Sequence, residues 1–127
     1  MKRWLAATLI LMTSSISLAL SKQEQQWIDA VSATYGQRAG KRVETWRSEM
    51  TRYKGLSERE QLTQVNRFFN QLYFVNDIQL WGKNDYWATP LEFLGSNAGD
   101  CEDFTIAKYF SLLELGVSDI KLRLVYV

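Results

Sequence analysis

The chain has 127 residues, 46% hydrophobic and 13% aromatic, which is enough for one packed domain and too few for two. Its 15 basic residues nearly cancel 14 acidic ones and are scattered rather than clustered, which excludes a nucleic-acid surface. A single cysteine, Cys101, excludes an internal disulfide, and the chain contains no histidine.

Lys2 and Arg3 precede a short apolar run, WLAATLILM (4–12), and a small-residue stretch, TSSISLALS (13–21). That order predicts a secretory signal peptide over residues 1–21, cleaved after Ala19 with Ser17 at −3, or after Ser21 with Ala19 at −3. The apolar core falls short of the roughly 20 residues a membrane span requires, so export with cleavage is expected rather than anchoring. Losing Lys2 and Arg3 from 15 basic residues leaves 13 against 14 acids, net −1. In an oxidising compartment a lone thiol is either buried or used.

Ser21 with Glu24 three places on predicts a capping box opening a helix, KQEQQWIDAVSATY, that stops at Gly36. Val43, Trp46, Met50 and Tyr53 then recur at spacings of 3, 4 and 3, one face of a second helix ended by Gly55. Ser57 and Glu60 form another capping box, ahead of a third helix with Leu62, Val65, Phe69 and Leu72 on one side. All three read as an amphipathic packing layer. From Tyr73 to Gly99 the periodicity fades into a segment rich in Asn, Asp, Gly and aromatics. Long segments of that kind are often functional in small domains. Here Trp81 and Trp87 either wall a groove or cover the core.

A fourth helix is predicted from Cys101 to Leu115, closed by Gly116. Its apolar residues surround the axis, which calls for burial on most sides. IKLRLVYV (120–127) then alternates Ile120, Leu122, Leu124 and Tyr126 against Lys121 and Arg123, the pattern of a strand. A strand and an all-round apolar helix need more covering layers than three helices supply. The chain reads as the first half of a larger α+β domain.

Asp100 stands at an N-cap position, with Asp103 three residues on where a capping box has Glu or Gln. Carboxylates suit a first helical turn by about 0.3–1 kcal/mol each, which accounts for part of the run GDCED. It does not account for Cys101 at N1. There the helix dipole and free N–H groups lower a thiol's pKa and can hold an oxyanion, while Asp100, Glu102 and Asp103 oppose ionisation. A cation would resolve the conflict, and oxygen-rich clusters suit Ca²⁺ best, although the spacing matches no EF-hand loop. The alternative is a buried structural thiol, which the N1 position after Gly-Asp disfavours.

The run GDCEDFTIAKYFSLLELGV, with KLRLVYV after it and WATPLEFLG before it, resembles the bacterial transglutaminase-like cysteine proteinases of the periplasmic LapG type. The likeness is dense from about Trp81 to Val127 and looser over Ser21 to Leu72. It implies a papain-like fold in which residues 22–127 form the N-terminal portion: a helical layer, a central cysteine-bearing helix and the start of an antiparallel sheet. It further implies a calcium-dependent endopeptidase that cuts a large surface adhesin to release biofilm cells, sequestered by an inner-membrane receptor sensing cyclic di-GMP. By position Cys101 corresponds to the nucleophile, and Asp100, Glu102 and Asp103 to the calcium-binding acids. The family's histidine and second aspartate fall after the strand at which these 127 residues stop. A thiol nucleophile needs an adjacent base, and a carboxylate of ordinary pKa is a poor one, so the chain by itself is expected to be inactive. A non-catalytic exported protein that binds calcium or the receptor is the other reading.

Overall fold

A computed structural model describes residues 20–125. All but the last two residues of the expected leader lie outside that range, as do Tyr126 and Val127. Ser21 caps helix α1 (Lys22–Tyr35): its Oγ accepts the Glu24 N–H at 3.1 Å, and Glu24 accepts the Ser21 N–H at 3.1 Å. Gly36, at φ +99°, turns the chain directly into α2 (Gln37–Tyr53), a conformation that a residue with a Cβ adopts only under strain. The face expected of α2 is the one it buries: Val43, Trp46, Met50 and Tyr53 are all in the core. Ser57 and Glu60 cap α3 (Glu58–Phe69) reciprocally, as their spacing predicts. Val65 and Phe69 are buried, whereas Leu62 points outward, 41% exposed. Leu72 is buried just beyond the helix end.

The segment expected to be irregular is largely structured. It holds β1 (Tyr73–Phe74), α4 (Asp77–Trp81), α5 (Pro90–Ser96) and β2 (Ala98–Gly99). Thr89, Pro90 and Glu92 supply the N-cap, N1 and N3 residues of α5, a complete capping box with proline where its missing N–H is harmless. The strands pair in parallel, Tyr73 opposite Ala98 and Phe74 opposite Gly99. Helix α6 (Cys101–Glu114) follows, then a 3-10 turn (Asp119–Lys121).

Aromatic rings tie these elements together. Phe69 of α3 stacks on Phe93 of α5 at 6.0 Å and meets Trp46 of α2 at 6.4 Å. Phe93 in turn meets Phe104 of α6 edge-on at 4.7 Å. At the other end of α6, the buried guanidinium of Arg47 donates to Glu24 at 2.6 Å and Glu114 at 2.9 Å. It lies over the rings of Trp27 and Trp46. One side chain of α2 therefore links α1 and α6.

Two expectations are corrected. α6 buries one face, with Asp103, Ala107, Ser111 and Leu112 turned inward and Phe110 54% exposed; α3 and α5 pack against it, and Trp46 of α2 donates to Ser111 at 3.2 Å. Residues from Ile120 onward do not form a strand among the described residues. Leu122 keeps an extended backbone (φ −110°, ψ 141°), but β1 and β2 pair only with each other. No described strand flanks 122–125 to take up its backbone groups.

Candidate active site and metal centre

The β1–β2 register builds the site. Its two strands run side by side, Val75 N–H donating to the Gly99 carbonyl at 2.8 Å, and each leads straight into an acid: Asp77 at N1 of α4 and Asp100 as N-cap of α6. Close packing helps fix that crossing. A Cβ on Gly99 would come within 2.7 Å of Asp103 Oδ2 and 2.9 Å of the Phe93 ring.

Cys101 occupies N1 of α6 and is exposed. It lines a cleft of about 340 Å³ with Trp87, Glu102, Thr105, Ile106, Leu124 and Val125. Its thiol is therefore accessible, at a helix start where free backbone N–H groups favour developing negative charge. The reading of Cys101 as a buried structural thiol does not hold.

The three neighbouring acids separate into two roles. Asp100 and Glu102 converge with Asp77, one carboxylate oxygen from each lying within 4.8 Å of the others. Asp103 stands beside them, 1% exposed, and its carboxylate is held by backbone instead. Its Oδ1 accepts the Ala88 N–H at 2.9 Å and its Oδ2 the Asp100 N–H at 3.1 Å. Asp77 escapes sequence reasoning because 23 residues separate it from Asp100 and only the strand pairing joins them.

This cluster is electrostatically unfavourable on its own. Asp77 Oδ2 accepts the Tyr86 N–H at 2.6 Å, but Asp77 Oδ1 and Asp100 Oδ1 are buried with no hydrogen-bond partner among the described residues. None of the four acids has a salt bridge there. Burial first, then the neighbouring carboxyls of Glu102, Asp103 and Asp77, push the Asp100 pKa up to about 8. Burial also raises Asp103, against the two backbone N–H groups that favour its ionised form. Two orphaned buried oxygens facing a third carboxylate fit a hard cation. Ca–O distances of about 2.3–2.6 Å allow ligand oxygens up to roughly 5 Å apart around one ion. Asp77, Asp100 and Glu102 meet that limit, while both oxygens of Asp103 are already engaged by backbone N–H groups.

Of the two tryptophans, Trp81 packs against the core and Trp87 lines the cleft, 58% exposed. Each alternative drawn from the sequence applies to one of them.

No curated protein matched the chain. Among solved structures, Legionella pneumophila LapG matches at 34% identity and a TM-score of 0.63, over 76% of this chain and 53% of LapG. Its calcium-bound form matches at 36% identity and a TM-score of 0.62, over 75% and 52%. Its EGTA-treated form matches at 34% and 0.63, over 76% and 52%. The chain thus spans about half the length of the LapG structures. The profile of the bacterial transglutaminase-like cysteine proteinases (BTLCP) matches residues 33–127, and the chain belongs to that family.

Proposed function

We propose that these residues are the nucleophile-bearing and metal-binding portion of a calcium-dependent thiol endopeptidase. The observation that carries the reading is the exposed Cys101 at N1 of α6, opening onto a cleft and flanked by an acid cluster with two orphaned oxygens. Cys101 Sγ attacks a peptide carbonyl to give a thioester, the C–N bond breaks, and water then releases the acyl group. The N–H groups of the first turn of α6 face the developing oxyanion. Asp77, Asp100 and Glu102 would hold Ca²⁺, which cancels their mutual repulsion and leaves the helix dipole to favour the thiolate. Asp103 anchors the preceding loop to the helix. Asp100, Glu102 and Asp103 together are the acids that the family likeness marks for calcium; the geometry favours Asp77 in the direct ligand set and Asp103 in support. The calcium-bound and EGTA-treated forms of LapG among the similar structures support calcium as the metal.

The 127 residues contain no histidine, so turnover draws its base from polypeptide outside them. The family likeness supports a periplasmic enzyme, exported by residues 1–21, that cuts a large surface adhesin and is held by an inner-membrane cyclic di-GMP receptor. A second reading is an exported protein that binds calcium or that receptor without cutting. Combining the chain with the C-terminal half of a LapG-type enzyme, Ca²⁺ and an adhesin peptide separates the two. Cleavage that EGTA and Cys101→Ser both abolish supports the peptidase. Calcium binding with no cleavage in the reconstituted mixture supports the binder.

A further inference from the structure

Trp87 is an exposed aromatic residue held unusually firmly. Its neighbours in sequence are fixed by carboxylates from two helices: Asp77 of α4 accepts the Tyr86 N–H at 2.6 Å, and Asp103 of α6 accepts the Ala88 N–H at 2.9 Å. Its own indole N–H donates to Asp85 at 3.0 Å. Three acids thus set the backbone and ring plane of one side chain that remains 58% exposed. Keeping a large apolar face fixed in water beside a concave surface is the signature of a contact surface rather than of core packing. That face shares its cleft with Cys101, and the other lining residues are Thr105, Ile106, Leu124, Val125 and Glu102, whose carboxylate also joins the acid cluster with Asp77 and Asp100.

We propose that Trp87 is a specificity-determining residue, and that this cleft takes an apolar side chain of the peptide whose carbonyl is presented to Cys101. The inference rests on the peptidase reading above and names the substrate chemistry of that site. A flat indole and branched aliphatic groups lining one cleft select an apolar side chain, and Glu102, the one charged residue of the lining, is engaged by the calcium cluster in the reading above. Asp103 and Asp77 are positioning residues for this wall. Because Asp77 also faces the acid cluster, the wall and the cluster are built on the same residue.

The test uses Cys101, the chain's only cysteine, as reporter. The chain is alkylated with iodoacetamide and with N-benzyl iodoacetamide. In each reaction the thiolate sulfur displaces iodide: a C–S bond forms, the C–I bond breaks, and the thiol proton passes to buffer. Rates are normalised to those of glutathione with the same two reagents. An apolar subsite beside the thiol makes the benzyl reagent about tenfold faster than iodoacetamide on this scale. Trp87→Ala brings the ratio to about one, and Trp87→Phe retains most of it. The rate with plain iodoacetamide stays within about twofold throughout, which shows that the thiol and fold are intact. A ratio near one in the unaltered chain, or a tenfold ratio that survives Trp87→Ala, overturns the proposal. The two readings fail separately. Benzyl preference in a polypeptide that never cleaves peptide leaves the subsite standing and removes the peptidase, whereas cleavage without benzyl preference does the opposite.

Discussion

Calcium binding at this site should carry a proton with it, and the structure sets how much. In the metal-free fold Asp100 retains its proton up to about pH 8, yet a carboxylate must ionise to ligate the ion. The apparent dissociation constant therefore scales as 1 + 10^(8−pH): near its limiting value at pH 9, about elevenfold weaker at pH 7 and about a hundredfold weaker at pH 6. The same relation requires the release of about 0.9 proton per calcium bound at pH 7. Isothermal titration of the chain with CaCl₂ measures both, the first from affinity at several pH values, the second from the dependence of heat on buffer ionisation enthalpy. Asp100→Asn should weaken binding at pH 9 and flatten the pH profile. An affinity constant within about twofold from pH 6 to pH 9 in the unaltered chain, with no proton release, would refute the argument. It would mean that Asp100 does not hold its proton in the metal-free fold.

The same shift sets the pH dependence of metal-free stability. Asp100 binds its proton more tightly in the fold than in the unfolded chain, about 8 against 3.8, so its contribution is complete below about pH 4 and is lost as pH rises towards 8. Urea midpoints in EGTA should fall between pH 5 and pH 8, and added Ca²⁺ should restore the value at pH 8. Phe93→Ala, at a fully buried position touching Phe69 and Phe104, should cost about 3–5 kcal/mol in urea unfolding. Arg47→Ala leaves Glu24 and Glu114 without their shared cation and should destabilise by about 2–4 kcal/mol, the lower end because Glu114 is partly exposed. If the leader is removed, sequencing of the exported protein should begin at Leu20. Cleavage after Ala19 keeps the Ser21 cap of α1, whereas cleavage after Ser21 removes a cap contributing about 1 kcal/mol.

Local signals in the sequence were enough wherever a few neighbouring residues determine the outcome. The Ser21–Glu24 and Ser57–Glu60 boxes start helices where their spacing places them, and the buried face of α2 follows its 3-4-3 periodicity. Helix α5 was equally legible in Thr89-Pro90-Leu91-Glu92, but seven residues leave little room for a periodic pattern, and the surrounding Asn and Gly suggested a loop. What depends on distant partners was not legible. Asp77 joins the site through a two-residue parallel pairing too short to register as alternation. Asp103 looks like its neighbours in sequence, but it is buried and the N–H groups of Ala88 and Asp100 occupy its two oxygens. The alternation from Ile120 records an affinity for a sheet, and forming that sheet depends on a strand to pair with.

The central claim is that Cys101 is the nucleophile of a thiol peptidase, and trapping its acyl intermediate tests this most directly. The chain, completed by a LapG-type C-terminal half, is mixed with Ca²⁺ and an adhesin peptide, quenched in acid within a turnover and digested with trypsin. The acyl group of the cleaved peptide should appear as a mass addition on the fragment spanning residues 84–108, which contains Cys101. It should be absent with EGTA and in Cys101→Ala. Cleavage that proceeds undiminished in Cys101→Ala, with no adduct on that fragment, would contradict the account.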